Sequence, residues 1–289
     1  MFSLKSILNR CGINTHVLLF KFLERNTKAL LMRKCDLLDE TIKKLISGEN
    51  EKFHYGDIEI KEKSLEYLLK IFTIERIVFI KKILLKKEQG IIVDLGDSNG
   101  IFLRSCGHSG ISVNISDPVV HSLRGKGMET IQADIEHLPF KTGSIQMVFL
   151  FETLEHVQNP ISLLKEIGRI SDNLILSVPY VTHTHTYPIN YDLGRPIHQH
   201  HIFEFNKEDL ETIISHTPFK VCREHTAVVI DENGGLSDRI ILFLWKIFFE
   251  KDMFCGCFRR FLILQLKRER KNEDGSAFFQ KAKSWKGYR

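Results

Sequence analysis

The sequence predicts a doubly wound α/β domain with a mostly parallel seven-stranded sheet, preceded by a helical extension. Three observations carry this reading. Short β-rich runs alternate with helical runs from Ile91 onward, helix starts carry an Asx-Pro signature, and residues 1–88 place their apolar side chains at helical rather than strand spacing.

The extension is clearest in "SLEYLLKIFTIERIVFIKKILLKK", Ser64 to Lys87. Leu65, Leu68, Leu69, Phe72, Ile74, Ile77, Ile80 and Leu84 recur at steps of three and four, with lysines on the other side, so this helix must cover something. The strand runs are then "IIVDLG" from Ile91, "SVNIS" (112–116), "TIQAD" (130–134), "IQMVFLFE" (145–152) and "LILSVP" (174–179). Strands separated by helices imply βαβ crossovers and a sheet covered on both faces. Asp117-Pro118 and Asn159-Pro160 each set a capping side chain before a proline at the first helical position. A further helix lies at Phe205 to Ile214, a sixth strand at 219–230 and a last strand at 260–270. "DENGG" breaks the chain before an apolar helical insertion over 237–258. The division read from these elements is a helical extension over 1–88, an α/β domain over 89–270 and a basic tail over 271–289.

The chain has 289 residues, 43% hydrophobic and 27% charged, enough to build a full-sized core. Six cysteines are scattered, and only Cys255 and Cys257 lie close together, as CxC, which fits neither a zinc ribbon nor a disulfide framework; a reducing, cytoplasmic setting is expected. The first residues lack the unbroken apolar region and cleavage site of a secretory signal. No apolar run reaches the roughly 18 residues of a spanning helix. The net charge of +5 is uneven. Residues 1–90 carry 18 basic against 12 acidic groups, 91–235 carry 10 against 18, and 236–289 carry 13 against 6. An acidic middle disfavours nucleic acid, which needs basic charge beside its site. The basic ends and the apolar insertion allow a peripheral membrane contact.

In an open parallel sheet, ligands bind outside the carboxyl ends of the strands, where the winding reverses. Gly96 and Gly100 in "VDLGDSNG" let a ligand approach the backbone, and the helix that follows offers N–H groups. Asp94 and Asp97 would repel a pyrophosphate, which disfavours a nicotinamide dinucleotide and favours a ligand with a cationic or zwitterionic part. Twenty residues on, Asn114 ends the second strand, where such folds bind ribose hydroxyls; Asp134 ends the third and can accept from an adenine amino group.

The order "VDLGDSNG … ISVNIS … IQADIEHLPFKTGSIQMVFLFETLEHVQNPISLLKEIGRI … LILSVPY" resembles the class I S-adenosylmethionine-dependent methyltransferases, specifically the small-molecule methyltransferases of the type 11 group. The resemblance spans about Ile91 to Ile230, with the last strand at Phe261 to Leu266. It implies S-adenosyl-L-methionine as cofactor. It assigns Asp94, Gly96, Asp97, Ser98 and Gly100 to the methionine end, Asn114 and Ile115 to ribose and adenine, Asp134 and Ile135 to the adenine edge, and the backbone of Phe151 and Glu152 to the sulfonium. Ser98 stands where the family has glycine, Asn114 where it usually has an acid, and "SDN" replaces the glycine-rich loop before the fifth strand. The first two are each worth about 1 kcal/mol of cofactor affinity on ordinary hydrogen-bond magnitudes.

Methyl transfer from a sulfonium needs positioning, and a hydroxyl acceptor also benefits from a base. His156 in "LEHV", Tyr180 and His201 are the catalytic candidates. The segment after the fifth strand, with His183, His185, His198, His200 and His201 beside Tyr180, Tyr187 and Tyr191, reads as a polar lid over the acceptor. HxH and HxHH patterns suit metals, but no cysteine is near and the carboxylates Asp192 and Glu204 have no recognisable ligand spacing, so no metal is expected. The acceptor expected is a small molecule, a lipid-linked intermediate or a glycan. The competing class is a binding protein that keeps the fold without catalysis.

Overall fold

The computed structural model describes residues 15–47, 63–84, 90–107, 110–180, 185–186, 201–230, 235–249 and 260–269. Three helices come first: α1 (Thr15–Cys35), α2 (Glu40–Ser47) and α3 (Lys63–Ile83). The α/β part follows as β1 (Ile92–Leu95), α4 (Ile101–Cys106), β2 (Gly110–Asn114), α5 (Asp117–Gly125), β3 (Glu129–Gln132) and β4 (Met147–Phe151). Next come a 3-10 turn (Leu154–His156), α6 (Pro160–Ile170) and β5 (Asn173–Pro179). A two-stranded ribbon, β6 (His185–Thr186) with β7 (Phe203–Glu204), precedes α7 (Lys207–Ser215), β8 (Phe219–Val228), α8 (Leu236–Phe249) and β9 (Arg260–Arg268).

Seven strands form one sheet in the order β3-β2-β1-β4-β5-β9-β8. The first five are parallel, and β9 runs antiparallel to both neighbours. Winding reverses between β1 and β4, which opens the ligand crevice at their carboxyl ends. Continuous apolar runs make this possible: every residue of β1 and β4 is buried, as parallel strands covered on both faces require.

Two cores sandwich the sheet. Val93, Leu95, Val148, Leu150, Leu174 and Leu176 pack with Leu163, Leu164 and Ile167 of α6 and Leu210 of α7 on one face. On the other, Ile92, Phe149, Ile175 and Ile263 meet Ile71, Phe72 and Ile80 of α3 together with Leu23 of α1. Phe72 and Ile80 of the predicted apolar stripe therefore cover one face of the sheet, whereas Ile74 and Ile77 pack with Leu38, Ile42, Ile46 and Ile101. Each such Leu, Ile or Phe contributes on the order of 1.5–3 kcal/mol by leaving water.

Two local expectations are adjusted. Asn159 caps α6 as predicted, its side chain accepting from Ser162 N at 3.0 Å. Before α5 the cap residue is Ser116, whose side chain makes no capping bond, rather than Asp117, which lies in the first turn with Pro118. The apolar helix α8 packs chiefly on α1, with Ile241 wholly buried. Residues 250–259 of the predicted insertion and 270–289 of the basic tail lie outside the described residues.

Candidate active site

Gly96 and Gly100 both adopt left-handed backbone, at φ 80° and 76°. A Cβ on Gly96 would stand 2.5 Å from Thr153 Oγ1, and one on Gly100 would stand 1.9 Å from Met128 Sδ. The loop between β1 and α4 is thus drawn close to Thr153, just after β4, and to Met128, just before β3, in a backbone conformation that favours glycine.

The two aspartates of this loop part company. Asp97 turns inward: its Oδ1 accepts from Asn99 N at 3.0 Å and Gly100 N at 2.7 Å, and its Oδ2 accepts from Ser112 Oγ at 2.5 Å. Asn99 Oδ1 accepts from Ile101 N at 2.9 Å. The N–H groups expected to face a ligand at the start of α4 are therefore taken by side chains of the loop itself. Asp97 acts as the loop's internal brace, and burial pushes its carboxyl up against the pull of these hydrogen bonds. Asp94 is different: its side chain is buried and its Oδ2 has no hydrogen-bond partner. Burial, and then the charge of Asp97, raise its carboxyl well above the ordinary range, with Arg76 opposing. A buried carboxylate oxygen left unpaired beside a glycine turn suits an incoming ammonium.

Ser98 is exposed, so the side chain that replaces the family glycine points away from the core. Asn114 is occupied: Nδ2 donates to Asp97 O at 2.8 Å and Oδ1 accepts from Ser116 N at 2.8 Å. Beside it Ile115 is 68% exposed, an apolar side chain open to a planar ring at the end of β2. Asp134 is exposed at the end of β3 with Oδ1 accepting from Glu136 N, and Ile135 is half-buried next to it. At the end of β4 the Phe151 ring turns into the core against Phe102, with centroids 4.5 Å apart. Glu152 adopts φ 49°, an uncommon value for a side-chain-bearing residue. Its Oε1 lies 2.8 Å from Arg76 Nη2 and accepts from Ser177 Oγ at 2.8 Å.

A second group of polar residues sits just beyond. His156 and His201 meet edge to face at 4.8 Å between ring centroids, so two of the three predicted catalytic candidates come together. Tyr180 ends β5, its N donating to Arg260 O at 3.0 Å and its ring 5.9 Å from the Arg260 guanidinium. His183, His198, His200, Tyr187 and Tyr191 lie outside the described residues, and so does the His185 side chain. Sequence reasoning missed Glu155 and Arg76, 0% and 3% exposed, and set aside Glu204, 0% exposed, for want of a ligand spacing. A signal was present for Arg76: Glu75-Arg76 interrupts the apolar stripe of α3.

The sheet order, the crevice and the loop chemistry can be set beside known proteins. The family described as "methyltransferase domain" matches residues 93–173, which span the first glycine loop through the start of β5. Residues 93–173 carry a methyltransferase domain of the type 11 group. Its family cofactor is S-adenosyl-L-methionine. Among solved structures, the methyltransferase domain resembles the 4+2 cyclase SpnF at 12% identity, with 84% of this chain and 96% of that chain covered and a TM-score of 0.52. Magnesium protoporphyrin IX methyltransferase of Synechocystis PCC 6803, solved with bound SAH, is 15% identical over 80% of this chain and 100% of that one, at a TM-score of 0.49. The YcgJ protein of Bacillus subtilis is 14% identical over 68% and 99%, at 0.48. At such identities the likeness to SpnF speaks to the fold alone. No curated protein matches the chain.

Proposed function

We propose that this methyltransferase transfers a methyl group from S-adenosylmethionine to a small-molecule, lipid-linked or glycan acceptor. The observation that carries the reading is Asp94 Oδ2, buried and without a hydrogen-bond partner at the switch point of the sheet. A carboxylate kept there at a desolvation cost gains a partner when the ammonium of the methionine end arrives.

In this reading Gly96 and Gly100 keep the approach to the backbone open, and Ile115 gives the adenine an apolar face. Asp134 and Ile135 border the adenine edge, and the Phe151–Glu152 backbone runs under the sulfonium. Asp97 and Asn114 hold the loop in shape rather than meeting the ligand directly. S-adenosylmethionine supplies an activated methyl group, so the protein's share of the acceleration is to align donor and acceptor and exclude water. His156 and His201 flank the acceptor side.

A second reading, a binding protein that retains the fold without transfer, draws on Asn114, both ends of whose side chain are already hydrogen-bonded within the loop. Methyl-labelled S-adenosylmethionine incubated with the protein and separate aqueous and lipid extracts distinguishes the two. Label in either fraction supports transfer and sorts the acceptor class; cofactor binding with no label in any fraction favours the second reading.

No helix among the described residues is long and apolar enough to cross a membrane. Leu236 and Phe243 stand 76% and 59% exposed on α8, which supports a peripheral contact with lipid through this helix. Sedimentation with anionic vesicles tests it, and a protein that stays in the supernatant at low salt removes the lipid contact.

A further inference from the structure

Glu155 is wholly buried, and neither of its carboxylate oxygens has a hydrogen-bond partner. Its oxygens share a small volume with the imidazoles of His156 and His201, one ligand atom from each lying within 4.8 Å of the others. His201 is 5% exposed and its Nδ1 lies 3.4 Å from Glu204 Oε1, on a side chain with no exposure at all. His156 is the solvent-facing member, so the cluster has an outer opening.

The charge balance is uneven. Glu152, Glu155 and Glu204 bring three buried carboxyl groups into one region, and Arg76 is engaged with Glu152. Taking an unpaired carboxylate out of water costs several kcal/mol, so a protein retains one where a cation or proton offsets the loss.

We propose that Glu155, His156 and His201 form a binding site for a divalent first-row transition metal cation, with Glu204 bracing the His201 ring. Two imidazoles and a carboxylate are the donor set that such ions favour, and three protein ligands leave coordination positions open. Ligand atoms around one cation at about 2.1 Å stand roughly 3–3.5 Å apart, so a contraction of about 1 Å completes the site. A carboxylate behind a ligating imidazole is the usual outer partner that fixes its orientation.

The site lies three residues beyond Glu152, whose backbone runs under the expected sulfonium. Resting on the proposed methyltransferase reading, an open coordination position there takes an oxygen of the acceptor and lowers its proton affinity. The hydroxyl then loses its proton to solvent, its oxygen forms the new bond to the methyl carbon, and the carbon–sulfur bond breaks with its electron pair to sulfur. Histidines separated by 45 positions explain why no sequence spacing announced this set.

The test is titration of chelator-treated full-length protein with Co2+, followed by visible absorption and by calorimetry, with S-adenosylmethionine affinity measured on the same samples. One equivalent of Co2+ is expected to bind. Glu155→Gln, His201→Ala and the solvent-facing His156→Ala should each weaken it by more than about 100-fold, beyond the loss of an outer partner. Bound Mn2+ should also enhance water-proton relaxation, because its open positions exchange with solvent. Absence of Co2+ binding to the wild type, or wild-type affinity in the three variants, overturns the site. Metal binding without S-adenosylmethionine binding instead leaves the site standing and counts against the methyltransferase reading.

Discussion

Arg76 and Glu152 form a buried ion pair, Nη2 to Oε1 at 2.8 Å, with side chains 4% and 8% exposed. The arginine belongs to α3 and the glutamate directly follows β4, so the pair ties the N-terminal helices to the carboxyl edge of the sheet. The Arg76 guanidinium also lies 4.9 Å from the Phe261 ring centroid and 5.9 Å from those of Phe102 and Phe151.

Arg76→Met should cost about 3–5 kcal/mol, since it strands Glu152 as an uncompensated buried charge. The double variant with Glu152→Gln should recover much of that loss. Urea denaturation of the two singles and the double measures the coupling, and simple additivity would deny the pair its role.

Gly100→Ala adds a Cβ where φ is 76° and Met128 Sδ already occupies the space. The backbone term alone is about 1–2 kcal/mol. The thermal midpoint should fall, and S-adenosylmethionine affinity should fall with it because the loop must move. Gly107→Ala, at φ 63° but with open space around its Cβ position, should show the smaller backbone effect and retain affinity.

Asp94 makes stability depend on pH with a defined sign. Burial first, then Asp97, raise its carboxyl well above the ordinary 3.8, with Arg76 opposing. A carboxyl whose folded pKa exceeds its unfolded one binds more protons in the folded state, so stability declines as pH rises from the unfolded value toward the folded one. Asp94→Asn should therefore stabilise the ligand-free protein near pH 7, by an amount that shrinks toward about pH 4. Chemical denaturation across that range checks it; a variant less stable than wild type at pH 7 contradicts it.

Glu75 carries the opposite sign. Burial pushes its carboxyl up, but hydrogen bonds with His225 on β8 and Lys34 on α1 outweigh this and leave it below the ordinary value. Its contribution is present above the unfolded carboxyl pKa of about 4.3 and lost as pH falls through the folded one. Glu75→Gln should cost about 1–3 kcal/mol at neutral pH and much less in acid, read by denaturation at both.

Much of the fold was legible because periodicity reports burial. The unbroken runs over Ile92–Leu95 and Met147–Phe151 could only be central parallel strands, and the stripe in Ser64–Lys87 could only be a covering helix. Helix ends were less legible at Ser116, where the chain turns one residue earlier than the Asp-Pro signature suggests. Within the candidate site, Gly96 and Gly100 take the left-handed backbone of a close turn and Asp94 is buried with Oδ2 unpartnered, whereas Asp97 bends inward because Ser112, fifteen residues away, offers its hydroxyl. Glu155, His201 and Glu204 meet only after β7 folds against the 3-10 turn, where Ile202 N donates to Glu155 O at 2.8 Å. No local spacing encodes that approach.

Calorimetric titration of S-adenosylmethionine into wild type and Asp94→Asn tests the central claim most directly. The account predicts one site in the wild type and, in the variant, a loss of at least about 10-fold, the 1.4 kcal/mol or more expected of a charged hydrogen bond, with the fold intact by circular dichroism. Equal affinity in the two proteins, or no binding to the wild type, would contradict it.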